Sequence, residues 1–345
     1  MKSHHVGILG YGWAASAHCD AINATSNAAV SAICSTRPLD AAELKARHGR
    51  PIAPYQRYED LLKNDQIDVI AITGYPSHHP ENVIQAVEAG KHVIIEKPIA
   101  LTWDACQKMA HAIRQSGKRA CVCFEVRHSG QFQATKSLLD QGLLGELHYG
   151  EVDYYHGIGP WYGQFRWNTK TEEGGSSLLS AGCHALDALL LCMNKKVTRV
   201  FATTSQSKSP VFSPYEYPTT SVTLLNFDDG SVGKVASVID CLQPYYFHTH
   251  LVGSEGSLLD NKFYSQKISG LKKEWSELNF PLTDSGDVAD HPYQAQFESF
   301  FESLDKDEPM PLTDFETAYQ SFKVLFAADL SAREKRPVDL EEMNG

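Results

Sequence analysis

Residues 6–15 read Val-Gly-Ile-Leu-Gly-Tyr-Gly-Trp-Ala-Ala, an apolar strand that runs directly into Gly10-x-Gly12-x-x-Ala15. That pattern suits a turn that cradles a dinucleotide pyrophosphate. Gly10 permits the tight turn, Gly12 lets the backbone approach phosphates with no Cβ in the way, and Ala15 is small enough for the next helix to pack against its strand. The free N–H groups at the start of that helix then face the anion, with Tyr11, Trp13 and Ala14 on the same turn. Glycine-rich turns also occur without a ligand, but this one follows a strand and precedes a helix, which favours a nucleotide.

The strand is the first of several. Val6–Leu9, Ala29–Cys34, Asp68–Thr73, His92–Ile95 and Ala120–Phe124 alternate with helical runs at Leu39–His48, Pro80–Ala89 and Trp103–Gln115. Such alternation predicts a doubly wound parallel sheet, a Rossmann domain covering residues 1–126 and entered almost at once after Met1. Beyond it the grammar changes. Turn signals at 226–232 and 251–258 join alternating strands at His148–His156, Thr198–Thr204, Ser221–Phe227, Ser231–Ile239 and Phe247–Val252. Helices are predicted at Ser177–Met193, Tyr293–Leu304 and Phe315–Arg333. Residues 127–345 therefore read as an α+β domain with a mixed, mostly antiparallel open sheet, one face under helices and the other free, and a C-terminal helix able to pack back on the first domain.

A length of 345 residues suits two domains, and the 42% hydrophobic, 21% charged composition is that of a soluble globular chain. The formal charge of −11 argues against polyanion partners, so no nucleic acid is expected. With no signal-like segment and no apolar run of spanning length, no membrane partner is expected either, and a cytoplasmic address follows by default. The eight cysteines lack paired zinc-site spacing and read as buried reduced thiols.

In a βαβ dinucleotide fold, an acidic residue at the end of the second strand binds the adenosine ribose. Here the strand ends in Ser35, Thr36 and Arg37, so the carboxylate is missing. Hydroxyls beside a guanidinium suit a 2′-phosphate, which favours NADP over NAD without excluding NAD. A second strand, His92–Ile95, delivers Glu96, Lys97 and Pro98 to the edge where open α/β sheets bind ligands. A lysine there, near an oxidised nicotinamide and apolar walls, is suited to exchange a proton with a substrate hydroxyl or carbonyl.

The glycine motif, the Glu96-Lys97-Pro98 triplet and the block Gly174-Gly175…Gly182-Cys-His184-Ala-Leu-Asp187 together resemble the Gfo/Idh/MocA oxidoreductase family, over nearly the whole chain. The resemblance implies NAD(P)-dependent redox chemistry on sugars, polyols or their derivatives, and a C-terminal sheet used for homodimers or homotetramers. It places Lys97 and His184 at the substrate carbinol. It also runs Thr73, Tyr75, Pro76 and His79 beside the nicotinamide. The family's common aspartate one turn before the histidine is Ser180 here, which can hydrogen-bond a hydroxyl but cannot act as a carboxylate base.

Ser180, His184 and Asp187, at i, i+4 and i+7, are expected on one helix face, with Asp187 either touching substrate or orienting the imidazole. Tyr155, Arg166 and Trp167 are candidate sugar contacts, alongside Tyr154, His156, Trp161 and Tyr162. Glu125 and Arg127, followed by His128, are expected to close the cofactor side. His248 and His250 share a strand face as a metal pair would, but no third ligand has supporting spacing, so they read as structural and no metal is expected. Two other activities fit the same residues. One is redox-neutral chemistry by a lyase, epimerase or glycosidase that oxidises its sugar transiently. The other is a non-catalytic NADP-binding regulator.

Overall fold

The computed structural model describes residues 4–283 and 290–344; the expected entry at Met1–Ser3 and the last residue of the second domain, Gly345, lie outside them. The chain divides into two compact units, residues up to Glu125 with His291–Tyr319, and Val126–Asp290 with residues from Gln320 on.

In the first unit the elements run β1 (His4–Leu9), α1 (Trp13–Ala24), β2 (Ala28–Cys34), α2 (Ala41–His48), β3 (Ala53–Tyr55), α3 (Tyr58–Leu62), β4 (Val69–Ile72), α4 (His79–Glu88), β5 (His92–Ile95), α5 (Trp103–Ser116) and β6 (Ala120–Val122). All pairings are parallel, in the order β3-β2-β1-β4-β5-β6. That is the doubly wound arrangement expected of near-continuous apolar strands, and β4 is buried throughout. Caps match local sequence: Asp40 accepts from the N–H groups of Ala42 and Glu43 to start α2, and Gly49, at φ 70°, ends it.

The second unit contains α6 (Gly130–Asp140), β7 (Leu147–Tyr155), α7 (Phe165–Asn168), α8 (Thr171–Gly174), α9 (Cys183–Met193), β8 (Val197–Ser205), β9 (Thr220–Phe227), β10 (Val232–Val238), β11 (Tyr246–Gly253), β12 (Gly256–Leu259), β13 (Lys262–Ser265) and β14 (Ser276–Glu277). Beyond these, α10 (Tyr293–Lys306) lies in the first unit, α11 (Phe315–Glu334) begins there and continues in the second, and β15 (Val338–Asp339) closes the list of strands in the second. The nine-stranded sheet runs β14-β13-β12-β11-β7-β10-β9-β8-β15, antiparallel except where β7 meets β10. Both predicted turns are hairpins, between β9 and β10 and between β11 and β12.

Helix α9 packs on one face of this sheet. A Cβ at Gly150 would collide with Met193 and Leu189, and one at Gly233 would crowd Leu189, so those glycines make room for the helix. The other face carries exposed Phe201, Leu224, Val232 and Tyr246. The stretch Thr171–Met193 is long and apolar enough to cross a membrane by composition, but 78% of its apolar 18-residue window is buried inside the protein, as befits a core helix.

A single boundary near residue 126 misses the return of residues 291–319 to the first unit. Helix α10 rejoins it because its aromatic stripe finds partners there: Tyr293 and Phe297 pack their rings 5.0 and 4.9 Å from that of His18. Gln296 Nε2 also donates to the carbonyl of Val122 at 2.7 Å. The cysteines are free thiols, seven of the eight buried, and burial pushes Cys19 up to about 12.

Candidate functional site

In the first unit, Gly10 has φ 99°, a region that favours glycine, and a Cβ there would press against Thr73 and Gly74 at 3.1 Å. Gly12 faces open space. Helix α1 begins after the N-cap Gly12 with no side-chain cap hydrogen bond and no acidic residue in its first turn, the kind of helix start that suits an anion. A pocket there is lined by Tyr11, Gly12, Trp13, Ser16, Arg37 and Arg47, among others. Arg37 Nη2 donates to the carbonyl of Tyr11 at 2.7 Å, and the Ser35 hydroxyl accepts from the Arg37 N–H at 3.2 Å. Thr36 is exposed beside them, and Ala14 sits half-buried in the first turn of α1.

Arg47 was not anticipated. It lies over the Tyr11 ring, 5.6 Å from its centroid, and donates to Ser16 Oγ at 3.0 Å. No motif marks it; it reaches the pocket because α2 returns beside α1. Two guanidiniums and a bare helix start fit a phosphate-rich dinucleotide.

The Glu96-Lys97-Pro98 triplet is anchored from below. Glu96 Oε1 lies 2.8 Å from His18 Nε2 and accepts from the Tyr293 hydroxyl at 2.9 Å, while Oε2 accepts from the Lys97 N–H at 3.2 Å. Burial works to raise this carboxyl's pKa, but the hydrogen bond and charge of His18 outweigh it and hold the group below the usual range. Lys97 itself is half-buried, and its peptide bond to Pro98 is cis. His79 is buried, with Nδ1 2.9 Å from the Pro98 carbonyl and Nε2 3.1 Å from that of Gly74. It therefore ties the Thr73–Gly74 turn to the triplet. Thr73 donates to Leu9, Pro76 is buried, and Tyr75 is 51% exposed. Glu125 is buried, with Oε1 3.0 Å from His291 Nδ1.

In the second unit the expected single-faced helix is interrupted. Leu178–Gly182 form a wide π turn ahead of α9, so Ser180 is no longer placed by the 3.6-residue rule relative to His184 and Asp187, which stay one turn apart on α9. Gly182 fits there because Ser237 leaves no room for a Cβ. The Tyr217 hydroxyl donates to the Asn168 carbonyl at 2.5 Å and lies 3.4 Å from Ser180 Oγ. His184 is buried at 4% exposure.

Asp187 takes another role: Arg127 Nε and Nη2 donate to its two oxygens at 2.6 and 2.5 Å, and Ser321 donates at 2.7 Å. Both partners of the pair are buried. Asp187, expected to touch substrate or orient the imidazole, and Arg127, expected on the cofactor side, are thus each other's partner in this structure. Periodicity cannot reveal a partner 60 residues away.

Tyr155 stands apart from the helix side of the sheet. It lies on the open face of the sheet, where its hydroxyl donates to Asp153 at 3.2 Å, whereas α9 covers the face of Gly150 and Tyr154. Strand alternation puts Tyr154 and His156 on the helix side, in an edge-on cluster with Tyr162 and Tyr245. Arg166 is exposed and Trp167 half-buried on α7. Tyr215 and Tyr217, from a stretch with no periodic signal, complete the aromatic wall near Ser180.

Ser176 of the glycine-rich block donates to Asp329 at 2.9 Å. Burial pushes this carboxyl up to about 7, against the opposing pull of Ser176 and Arg333. A carboxyl with a folded pKa above its unfolded value costs stability as pH rises, here from about 4 to 7, by up to about 4 kcal/mol. Asp329→Asn keeps an acceptor for Ser176 and is expected to be the more stable protein at pH 8 but not at pH 4, checked by urea unfolding at both. An equal effect at both pH values would refute the assignment.

Comparison with known proteins supplies the family. Residues 4–124 match the model of the oxidoreductase family with an NAD-binding Rossmann fold, and residues 132–259 match the GFO/IDH/MocA C-terminal domain. The chain is 22% identical over 340 residues to a myo-inositol 2-dehydrogenase of Thermotoga maritima, covering 99% of both. It is 30% identical over 178 residues to a glycosyl hydrolase family 109 protein of Shewanella pealeana, 49% of this chain and 38% of that one. Stretches matched at 30% thus span half or less of those relatives' length. A scyllo-inositol dehydrogenase of Lactobacillus casei, solved with NAD(H) and scyllo-inositol, shares the fold at TM-score 0.80 and 20% identity over 99% of this chain and all of that one. With a family model matched in each unit, the chain belongs to the Gfo/Idh/MocA oxidoreductase family.

Proposed function

We propose that this chain is an NAD(P)-dependent dehydrogenase or reductase acting on a secondary alcohol or ketone carbon of a sugar, polyol or sugar derivative, with NADP favoured over NAD. The observation that carries the cofactor reading is the pocket at the start of α1, where Arg37 and Arg47 stand beside an uncapped helix N-terminus. The bound nicotinamide supplies the hydride acceptor or donor. Lys97 exchanges the carbinol proton, and the anchored Glu96 fixes the main chain that carries it. His184 hydrogen-bonds the reacting oxygen, while Ser180, Trp167 and Arg166 hold other hydroxyls of the ring. The substrate class rests on the inositol dehydrogenases among the relatives.

A redox-neutral reading keeps one specific support, the family 109 glycosyl hydrolase relative. In that case product forms with no net change in cofactor. The open face of the second-unit sheet, with Phe201, Leu224 and Val232 exposed, supports self-association through that sheet.

The test is an equilibrium titration with NADPH and NADH followed by an assay over inositols, other polyols and sugars. Arg37→Ala and Arg47→Ala are each expected to weaken NADPH binding at least tenfold and NADH binding far less, in keeping with the loss of a charge-assisted phosphate contact. Equal loss for both cofactors would refute the 2′-phosphate assignment. Tight cofactor binding with no turnover on any member of the panel would favour the non-catalytic regulator.

A further inference from the structure

We infer that Glu151, His248 and His250 form a site for one divalent transition-metal ion of the zinc and cobalt class on the open face of the second-unit sheet. The ligand atoms of these three side chains all lie within 4.8 Å of one another. The sheet register creates the cluster. His250 on β11 stands directly opposite Glu151 on β7, and His248, two residues earlier, shares its face opposite Asp153. Each of the three ligands is only partly covered within one chain, which leaves coordination positions for water or for a group of a second copy seated on this face.

A second observation points to a ligand. His248 Nδ1 lies 2.9 Å from Asp260 Oδ1, and that oxygen also accepts from the Thr249 N–H at 3.0 Å, which fixes it in place. With Nδ1 bound to a carboxylate, the lone pair of a neutral ring sits on Nε2, the atom 3.9 Å from Glu151 Oε1. A carboxylate behind the imidazole is the arrangement that orients metal-binding histidines and raises their basicity. Two imidazoles and one carboxylate form a nitrogen and oxygen donor set that suits zinc, cobalt or nickel better than calcium or magnesium.

Lys234 is the competing cation. It reaches Glu151 Oε1 from β10, on the opposite flank of β7 from the histidines, and shares its ammonium with Asp153 at 2.6 Å to each. Two carboxylates thus face one fixed cation, and the cluster keeps attraction for a second. The Tyr149 hydroxyl donates to Glu151 Oε2 at 2.6 Å, which holds the carboxylate in place beside the histidines.

The experiment titrates the chelator-stripped, full-length chain with Co²⁺ and follows absorption, with Zn²⁺ as displacing ion. The expected result is one Co²⁺ per chain at micromolar affinity, with no thiolate charge-transfer absorption. Glu151→Gln and His250→Gln should each weaken binding at least tenfold, and Asp260→Asn, which leaves all three ligands in place, by about tenfold. If His250→Gln does not fold, as judged by its circular dichroism, His248→Gln replaces it. No binding at millimolar Co²⁺, or affinity unchanged in these variants, overturns the proposal. Thiolate absorption overturns it as well, because it places the ion at the buried His18–Glu96–Cys123 cluster of the first unit instead.

Discussion

Lys97→Met is expected to bind NADPH within a few-fold of the parent and to turn over the best polyol of the panel about 10³-fold more slowly. Methionine keeps most of the aliphatic stem and removes the ammonium, so the loss reports on the proton rather than on packing. Lys97→Arg should be equally slow, since guanidinium keeps the charge but does not release a proton near neutral pH. The size of the effect follows from how firmly the triplet is held. His18 and Tyr293 fix Glu96, Glu96 accepts from the Lys97 N–H, and the ring of His79 meets the Pro98 carbonyl at 2.9 Å. With that frame intact, no neighbouring flexible chain takes over the role by a small shift. Single-turnover rates with saturating NADP⁺ check the prediction, and a variant as fast as the parent would remove Lys97 from the chemistry. Should Lys97→Arg alone stay fast, a fixed positive charge rather than proton exchange would be the lysine's contribution.

What the sequence disclosed follows from range. The turn at Gly10, the strand ends at Cys34 and Ile95 and the start of α5 at Trp103 are set by residues within a few positions of one another, and each appears where the pattern puts it. Hydrophobic alternation also located β7 to β11 to within one or two residues. Strands β3 and β12 to β15 escaped because two to four residues leave no periodic signal, and α6 because its glycine start and mixed surface blur its pattern. Partners distant in the chain are another matter. Arg47, Tyr217 and the Glu151–His250 pair reach their neighbours through tertiary folding, and nothing local announces them. Tyr155 and Tyr154 differ by one position, enough to swap faces of the sheet. The π turn at Leu178–Gly182 breaks the spacing rule at the point where the candidate site needs an unusual backbone, a place where local rules are expected to fail.

Arg127→Met is expected to destabilise the second unit by about 3–5 kcal/mol, because it removes the guanidinium that pairs both oxygens of the buried Asp187 carboxylate and leaves the Ser321 hydrogen bond. The double variant Arg127→Met/Asp187→Leu should recover most of that loss, since a well-packed apolar pair removes the desolvation cost along with the attraction. The distinction matters for function. Asp187 lies one turn beyond His184 on α9, so the ion pair sets where that helix, and therefore the imidazole, is held. A double variant that regains stability but not turnover would show that the pair acts by positioning His184, and its KM and kcat would separate substrate holding from chemistry. Urea unfolding of the two single variants and the double variant supplies the coupling energy. If Arg127→Met unfolds at the parent's midpoint, the buried pair is not what secures α9, and the placement of His184 must rest on the packing of Leu189 and Met193 against Gly150 instead.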